Sequence, residues 1–201
     1  MLFKSLDFLR EQLTIYLSDK LPENQGLVLK DLVKLENIAV LDETAIKNSD
    51  SIFISLVNIA EETTLKNIPH YEKAFPNTIY RNPPIYLNLF ILFSAVFKKY
   101  DIGLILLSHT IRFFQGKHVF DHKNSSTEVK DLDEFNIIMD LYSPSFEQAN
   151  YLWSTLGGKQ HPYVLYKLRL AEMKRENRSE ERGIVKEVQL SEEKHINTPS
   201  R

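Results

Sequence analysis

Between Pro83 and Phe97 the chain is apolar at both parities of a two-residue repeat. One parity reads Ile85, Leu87, Leu89, Ile91, Phe93 and Ala95. The other reads Tyr86, Phe90, Leu92 and Val96, interrupted by Asn88 and Ser94. A strand with one wet face alternates apolar with polar residues. This pattern therefore predicts a long central strand covered on both faces. Pro83 and Pro84 cannot donate to a sheet ladder and mark its entrance, while Lys98-Lys99-Tyr100-Asp101 marks its exit. A buried helix is the competing reading; the entrance prolines and the aromatic and branched content favour the strand.

The rest of the chain is organised around that strand. Leu2, Leu6, Leu9, Leu13 and Leu17 form the stripe of an amphipathic helix ending near Pro22. Leu27-Val28-Leu29 and Ile38-Ala39-Val40-Leu41 are candidate short strands, and Ser51 to Ile59 is a second strand apolar on both faces. Pro69, Pro76, Pro83 and Pro84 predict an irregular loop between the two long strands. Asp101 to Phe114 reads as a helix with almost no polar face, expected to lie on the sheet and to be covered again from outside, with Gly116 as its C-cap. Val119-Phe120 begins another strand, and Phe135 to Tyr142 forms a further one. Ser143 as N-cap and Pro144 at the first helical position open a helix through Phe146, Leu152, Trp153 and Leu156, stopped by Gly157-Gly158. Tyr163 to Leu170 is the last strand of the domain. Beyond it, residues 174–182 read as a charged linker, and Ile184 to Leu190 as a strand-like island. Strands outnumber helices in mixed order. The expectation is an α+β domain over residues 1–173, with one mixed sheet of about five strands and packed helices, followed by an extended arm over 174–201.

Composition narrows the function classes. The 201 residues are 43% hydrophobic, enough for a sizeable core, and the net charge of −2 gives no basic footprint for nucleic acid. With no cysteine, disulfides, thiol catalysis and cysteine-based metal sites are excluded. The N-terminus does not read as a signal peptide, and no apolar run reaches the roughly 18 residues of a spanning helix. Synthesis in the cytoplasm without membrane insertion is expected.

Candidate chemistry is sparse. His118 and His122 have the spacing of a helical metal pair, but Gly116 and Asn124-Ser125-Ser126 put them in a loop. Glu61 and Glu62 are adjacent on an extended chain and point opposite ways. His109 lies on the nearly all-apolar helix and reads as a core or rim histidine. Gly157-Gly158-Lys159 follows a helix where a phosphate loop precedes one. No catalytic, metal or cofactor site is nominated.

Four stretches are more specific than these. They are Ser55-Leu56-Val57-Asn58-Ile59 with Glu61-Glu62-Thr63; Pro84 to Ala95; Phe113-Phe114-Gln115-Gly116-Lys117 with Val119-Phe120; and Ser145 to Lys159 followed by Pro162 to Lys167. In this order and spacing the chain resembles the cap, or tail-terminator, family of contractile injection systems. These are phage-tail-like particles of the antifeeding-prophage and virulence-cassette type. The resemblance covers about residues 1–173. It implies a phage tail-terminator-like fold, no cofactor, and a homo-hexameric ring at the tail end far from the baseplate. Such a ring contacts the inner tube protein and the sheath protein, stops polymerisation and couples the two, in a particle that is either released or membrane-anchored. A sheath- or tube-associated subunit and a soluble peptide-binding adaptor are the alternatives.

Three groups of residues are nominated as partner contacts. Tyr71 and Phe75 in the proline-rich loop, with Lys117 and His118, are candidate ring contacts, since exposed aromatics on long loops serve as anchors. Glu147, Gln148 and Asn150 are candidates for the tube, although the favoured reading of the same helix is a core helix with Trp153 inward. Ile184, Val188 and Leu190 share one face of an extended segment that can add to a sheet edge.

Overall fold

Every backbone amide buried by the central strand needs a partner, and the chain supplies one on both sides. The computed structural model describes residues 2–20, 31–62, 71–74, 77–80, 85–121, 136–173 and 180–183, with backbone alone at 71–74, 77–80, 170–173 and 180–183. The chain divides into two compact units, Met1–Leu65 with Ile85–Met173, and Lys66–Pro84 with Lys174–Arg201.

The first unit is α+β. Its elements are α1 (Leu2–Ser18), β1 (Val33–Leu35), α2 (Glu43–Lys47), β2 (Ser51–Glu61), β5 (Ile85–Val96), α3 (Tyr100–Gly116), β6 (Val119–Asp121), β7 (Asn136–Tyr142), α4 (Phe146–Thr155) and β8 (Tyr163–Met173). Six strands form one mixed sheet in the order β1-β2-β5-β8-β7-β6, slightly larger than the five or so expected. Only β1 on β2 is parallel; the other neighbours are antiparallel. The predicted central strand is β5, flanked by β2 and β8.

Its two parities face two separate cores. Leu89, Ile91, Phe93 and Ala95 join Ile52 and Ile54 of β2 and Val164, Tyr166 and Leu168 of β8 beneath α1 and α3. Leu92 and Val96 join Phe53, Leu165, Ile38 and Trp153 on the opposite face, beneath α4. Phe93, Leu92 and Ile91 are fully buried. Burying a large apolar side chain contributes about 1.5–3 kcal/mol, so this double coverage makes β5 the energetic centre of the unit.

The second unit holds a three-stranded antiparallel sheet of β3 (Tyr71–Ala74), β4 (Asn77–Tyr80) and β9 (Glu180–Gly183), in that order. Tyr71 pairs with Tyr80, and Tyr80 in turn with Glu180.

Several expectations change. The stretch from Pro69 to Pro84 is not wholly irregular, since four-residue strands fit between its prolines. Residues 180–182, read as linker, belong to a strand over Glu180–Gly183. Ile38–Val40 is a 3-10 turn and not a strand, because the Asn37 side chain accepts from the Ala39 amide at 3.0 Å and curls the backbone. The strand lies earlier, at Val33–Leu35. Helix α4 starts at Ser145 instead of Ser143. Gly116 is the last residue of α3, capped by Lys117. Finally, α3 is not covered from outside among the described residues: Leu104 and Ile105 stay 40% and 42% exposed. The expected strand at Leu27–Leu29 lies outside the described residues.

Candidate interaction surfaces

Helix α4 is fixed at its start by a reciprocal cap. The Gln148 amide donates to Ser145 Oγ at 3.3 Å, and the Ser145 amide donates to Gln148 Oε1 at 3.0 Å. This satisfies two end donors at once and sets the orientation of the first turn. The helix stops where Gly157 and Gly158 take φ of +99° and +78°, values open to glycine without steric cost. Trp153 turns inward and is 4% exposed, its ring 5.3 Å from that of Tyr163.

The nominated residues of this helix therefore separate. Gln148 is committed to the cap. Glu147 and Asn150 are exposed, and Glu147 accepts a hydrogen bond from the Tyr151 hydroxyl at 3.3 Å. Beside them stand two large side chains that the nomination missed, Phe146 at 98% exposure and Tyr151 at 63%. Phe146 is thus an almost fully solvated aromatic in a first turn fixed by the cap, a residue type enriched among interface anchors. Its signal was the capping pattern of Ser145 and Gln148, which places Phe146 in the first turn, before the helix reaches the sheet.

Lys117 and His118 lie where α3 hands over to β6. The Lys117 ammonium sits 4.9 Å from the Phe120 ring centroid, and partial burial lowers its pKa while Asp121 opposes that shift. The His118 carbonyl accepts from the Met139 amide at 2.8 Å, so this residue is pinned to β7. His122, whose spacing from His118 was set aside as a metal pair, lies outside the described residues, as do Phe75, Ile184, Val188 and Leu190. Tyr71 opens β3. Lys117 and His118 thus belong to the edge of the sheet at β6, whereas Glu147 and Asn150 belong to the helix over its second face; the structure does not gather them into one site.

A third surface came unannounced. The second face of the sheet carries Asn88 beside Arg169, Phe90 beside Lys167, and Lys167 beside Asp140. Glu62 Oε2 accepts from the Asn88 amide at 2.9 Å and lies 3.6 Å from Lys167 Nζ. Arg169 Nε meets Asp140 Oδ2 at 2.8 Å. Phe90 and Tyr142 stack edge to face at 5.2 Å. Glu62 and Asp140 are each held beside a cation, so among the described residues the strip offers hydrogen bonding and paired charge. The sequence signal was the shared parity of Asn88 within β5 and of Lys167 and Arg169 within β8.

Two histidines have displaced equilibria. Burial foremost, with Lys159 next, lowers the pKa of His161, which packs against Trp153 at 6.1 Å between ring centroids. Burial, then Arg112 and Lys20, lowers that of His109. Among the described residues no helix is long and apolar enough to cross a membrane, and no cluster of three His, Cys, Asp or Glu could hold a metal ion.

The family model of the Pvc16 N-terminal domain matches residues 7–187. The fold is also that of two solved assemblies. The PVC sheath/tube terminator of an extracellular contractile injection system, in its extended state, matches with a TM-score of 0.60 at 12% identity, covering 99% of this chain and 65% of that one. The anti-feeding prophage cap, a tube-terminating cap, matches with a TM-score of 0.55 at 11% identity, covering 93% of this chain and 60% of that one. This chain spans less than two thirds of the length of either. No curated protein matches by sequence.

Proposed function

The chain belongs to the Pvc16 N-terminal domain family, and we propose that it works as a structural cap of a contractile injection system. In this reading six copies form a ring on the end of the tail distal to the baseplate. The ring binds the last layer of inner tube protein and the last layer of sheath protein, ends polymerisation and ties the two together. It carries out no chemistry and needs no cofactor. The protein is made in the cytoplasm and enters the particle by assembly.

The observation that supports this reading best is the fold. The six-stranded mixed sheet with helices on both faces is shared with a sheath/tube terminator and with a tube-terminating cap. The exposed Phe146 and Tyr151 suit a protein whose surface is completed by partners. Residues 1–173 would form the terminator-like body, and residues 174–201 an arm. Ile184, Val188 and Leu190 of that arm would add as a strand to a sheet edge of a sheath subunit or of a neighbouring cap.

Electron microscopy of particles from cells lacking the gene tests the cap. The expected result is tubes of uncontrolled length, or sheath that slips from the tube at the distal end. Particles of normal length and intact coupling would overturn it. Purified chain that grows into long tubes by itself would instead make it a tube or sheath subunit. Pull-downs with purified sheath protein and sizing of the ring, comparing the full chain with one ending at Lys174, test the arm. Equal behaviour in both would remove that role.

A further inference from the structure

Two exposed apolar patches lie on helices that cover opposite faces of one sheet. On α4, over the second face, Phe146 and Tyr151 stand in solvent beside Glu147. On α3, over the first face, Tyr100, Leu104 and Ile105 are 67%, 40% and 42% exposed. Residue 108 lies four residues after 104 and three after 105, and 112 lies four after 108, so Arg112 extends that side of α3. Among the described residues Glu147 and Arg112 make no ion pair, whereas several other charged side chains do. Glu147 beside the α4 patch and Arg112 at the far end of the α3 patch are thus opposite charges without an ion pair, while Asp101 stands exposed at the near end of α3 beside Tyr100.

We propose that these patches are the two halves of one interface between copies of this chain, with α4 of one copy seated on α3 of the next. Phe146 and Tyr151 would cover Leu104 and Ile105, and Glu147 would meet Arg112. The second copy is favoured over another partner because each patch supplies what the other lacks. The placement also sets the symmetry. A two-fold pair needs one self-complementary surface, with both contacts made side by side. Patches separated by the sheet cannot do that. One copy's α4 is used while its α3 remains open, so the contact propagates head to tail until a ring closes. This inference rests on the ring proposed above and identifies the surfaces that build it.

Mixing experiments test it, with size measured by light scattering both for the chain alone and with purified tube protein. Phe146→Glu and Leu104→Glu each put a charge into one half of the contact. Each variant is expected to melt as wild type does and to stay a single chain where wild type forms the ring. An equimolar mixture of the two should give a dimer and no ring, because it restores one good contact per pair. Glu147→Arg should likewise weaken assembly, and pairing it with Arg112→Glu in the same chain should restore it. Variants that assemble as wild type does would overturn the interface and leave the ring standing. A wild type that never assembles, alone or with tube protein, would remove the ring reading itself. A lowered melting temperature in both Leu104→Glu and Ile105→Glu would show that the chain covers α3 itself, which also overturns the proposal. So would variants that form rings but fail to bind tube protein.

Discussion

Phe93, in the middle of β5, holds its ring 5.1 Å from that of Phe114 at the end of α3. Both are buried, and Tyr166 of β8 touches each, at 5.6 Å and 4.9 Å. Phe114 continues to Phe120, and Phe120 meets Phe8 of α1 at 5.9 Å. One aromatic cluster therefore fastens two helices and three strands. Burial in this cluster pushes the Tyr166 phenol up to about 12.

Phe93→Ala removes the centre of that cluster. The expected cost is about 3–5 kcal/mol, a large share of the roughly 5–15 kcal/mol that holds a domain together. Chemical denaturation should show it, or the variant should be recovered only as insoluble protein. Phe146→Ala, at a site 98% exposed, should leave the midpoint unchanged. Equal effects at the two sites would contradict this account of the core.

The cap of α4 is a second point of leverage. Ser145→Ala deletes an acceptor for the Gln148 amide and should cost about 0.5–2 kcal/mol. Ser143→Ala, two residues earlier, should cost little, since the helix starts after Ser145. Because Trp153 lies on this helix and is the sole tryptophan, fluorescence during denaturation reports the loss directly. A larger effect at Ser143 would move the cap back to where Pro144 suggests.

Acid should loosen the same layer. The folded chain holds His161 below the ordinary 6.5, so below that value the unfolded chain takes up a proton that the folded one resists. Stability is then full above about pH 6.5 and falls as the pH drops below it. His109 shifts in the same direction and adds to the loss. His161→Phe keeps a ring against Trp153 and should flatten part of the slope of melting temperature against pH. An unchanged slope in that variant would assign the whole effect to other groups.

Glu62 accepts a hydrogen bond from the Asn88 side-chain amide, and Asn88 is only 6% exposed. Asn88 Oδ1 has no partner among the described residues. Glu62→Ala takes away the amide's partner as well, with an expected cost of about 1–3 kcal/mol. Glu62→Gln keeps an acceptor and should recover most of it. Thermal melts of the two variants compare the hydrogen bond with the ion pair to Lys167.

The strands were legible where both parities were apolar, because that pattern depends only on which faces are covered. β5 and β2 are such cases. Ser145 carries a legible signal too, since Gln148 three residues on completes the capping pattern, in competition with the Ser143-Pro144 start signal. β3, β4 and β9 were a different matter. Four-residue strands carry almost no periodic signal, and β9 finds its partner about a hundred residues back along the chain. The contact surfaces were the least legible part. Phe146, Leu104 and Ile105 have the periodicity of core residues, and only the placement of the neighbouring helices leaves them in solvent. Lys167 and Arg169 share a parity within β8, but only the pairing of β8 with β5 sets them beside Phe90 and Asn88.

The register of Ile85 with Met173 has a kinetic meaning. Before the large sheet forms, β4 and β9 are joined by a chain of about 100 residues. Once β5 and β8 are paired, residues 85 and 173 face each other, and the gap left to close is only about a dozen residues. The closure cost falls by about 2 kcal/mol, since it grows with the logarithm of loop length. The small sheet therefore becomes affordable only after the large one exists. In a refolding experiment pulsed with deuterium, the amides of β9 should gain protection later than those of β5, and a chain emerging from the ribosome would complete its first unit before β9 has anywhere to go.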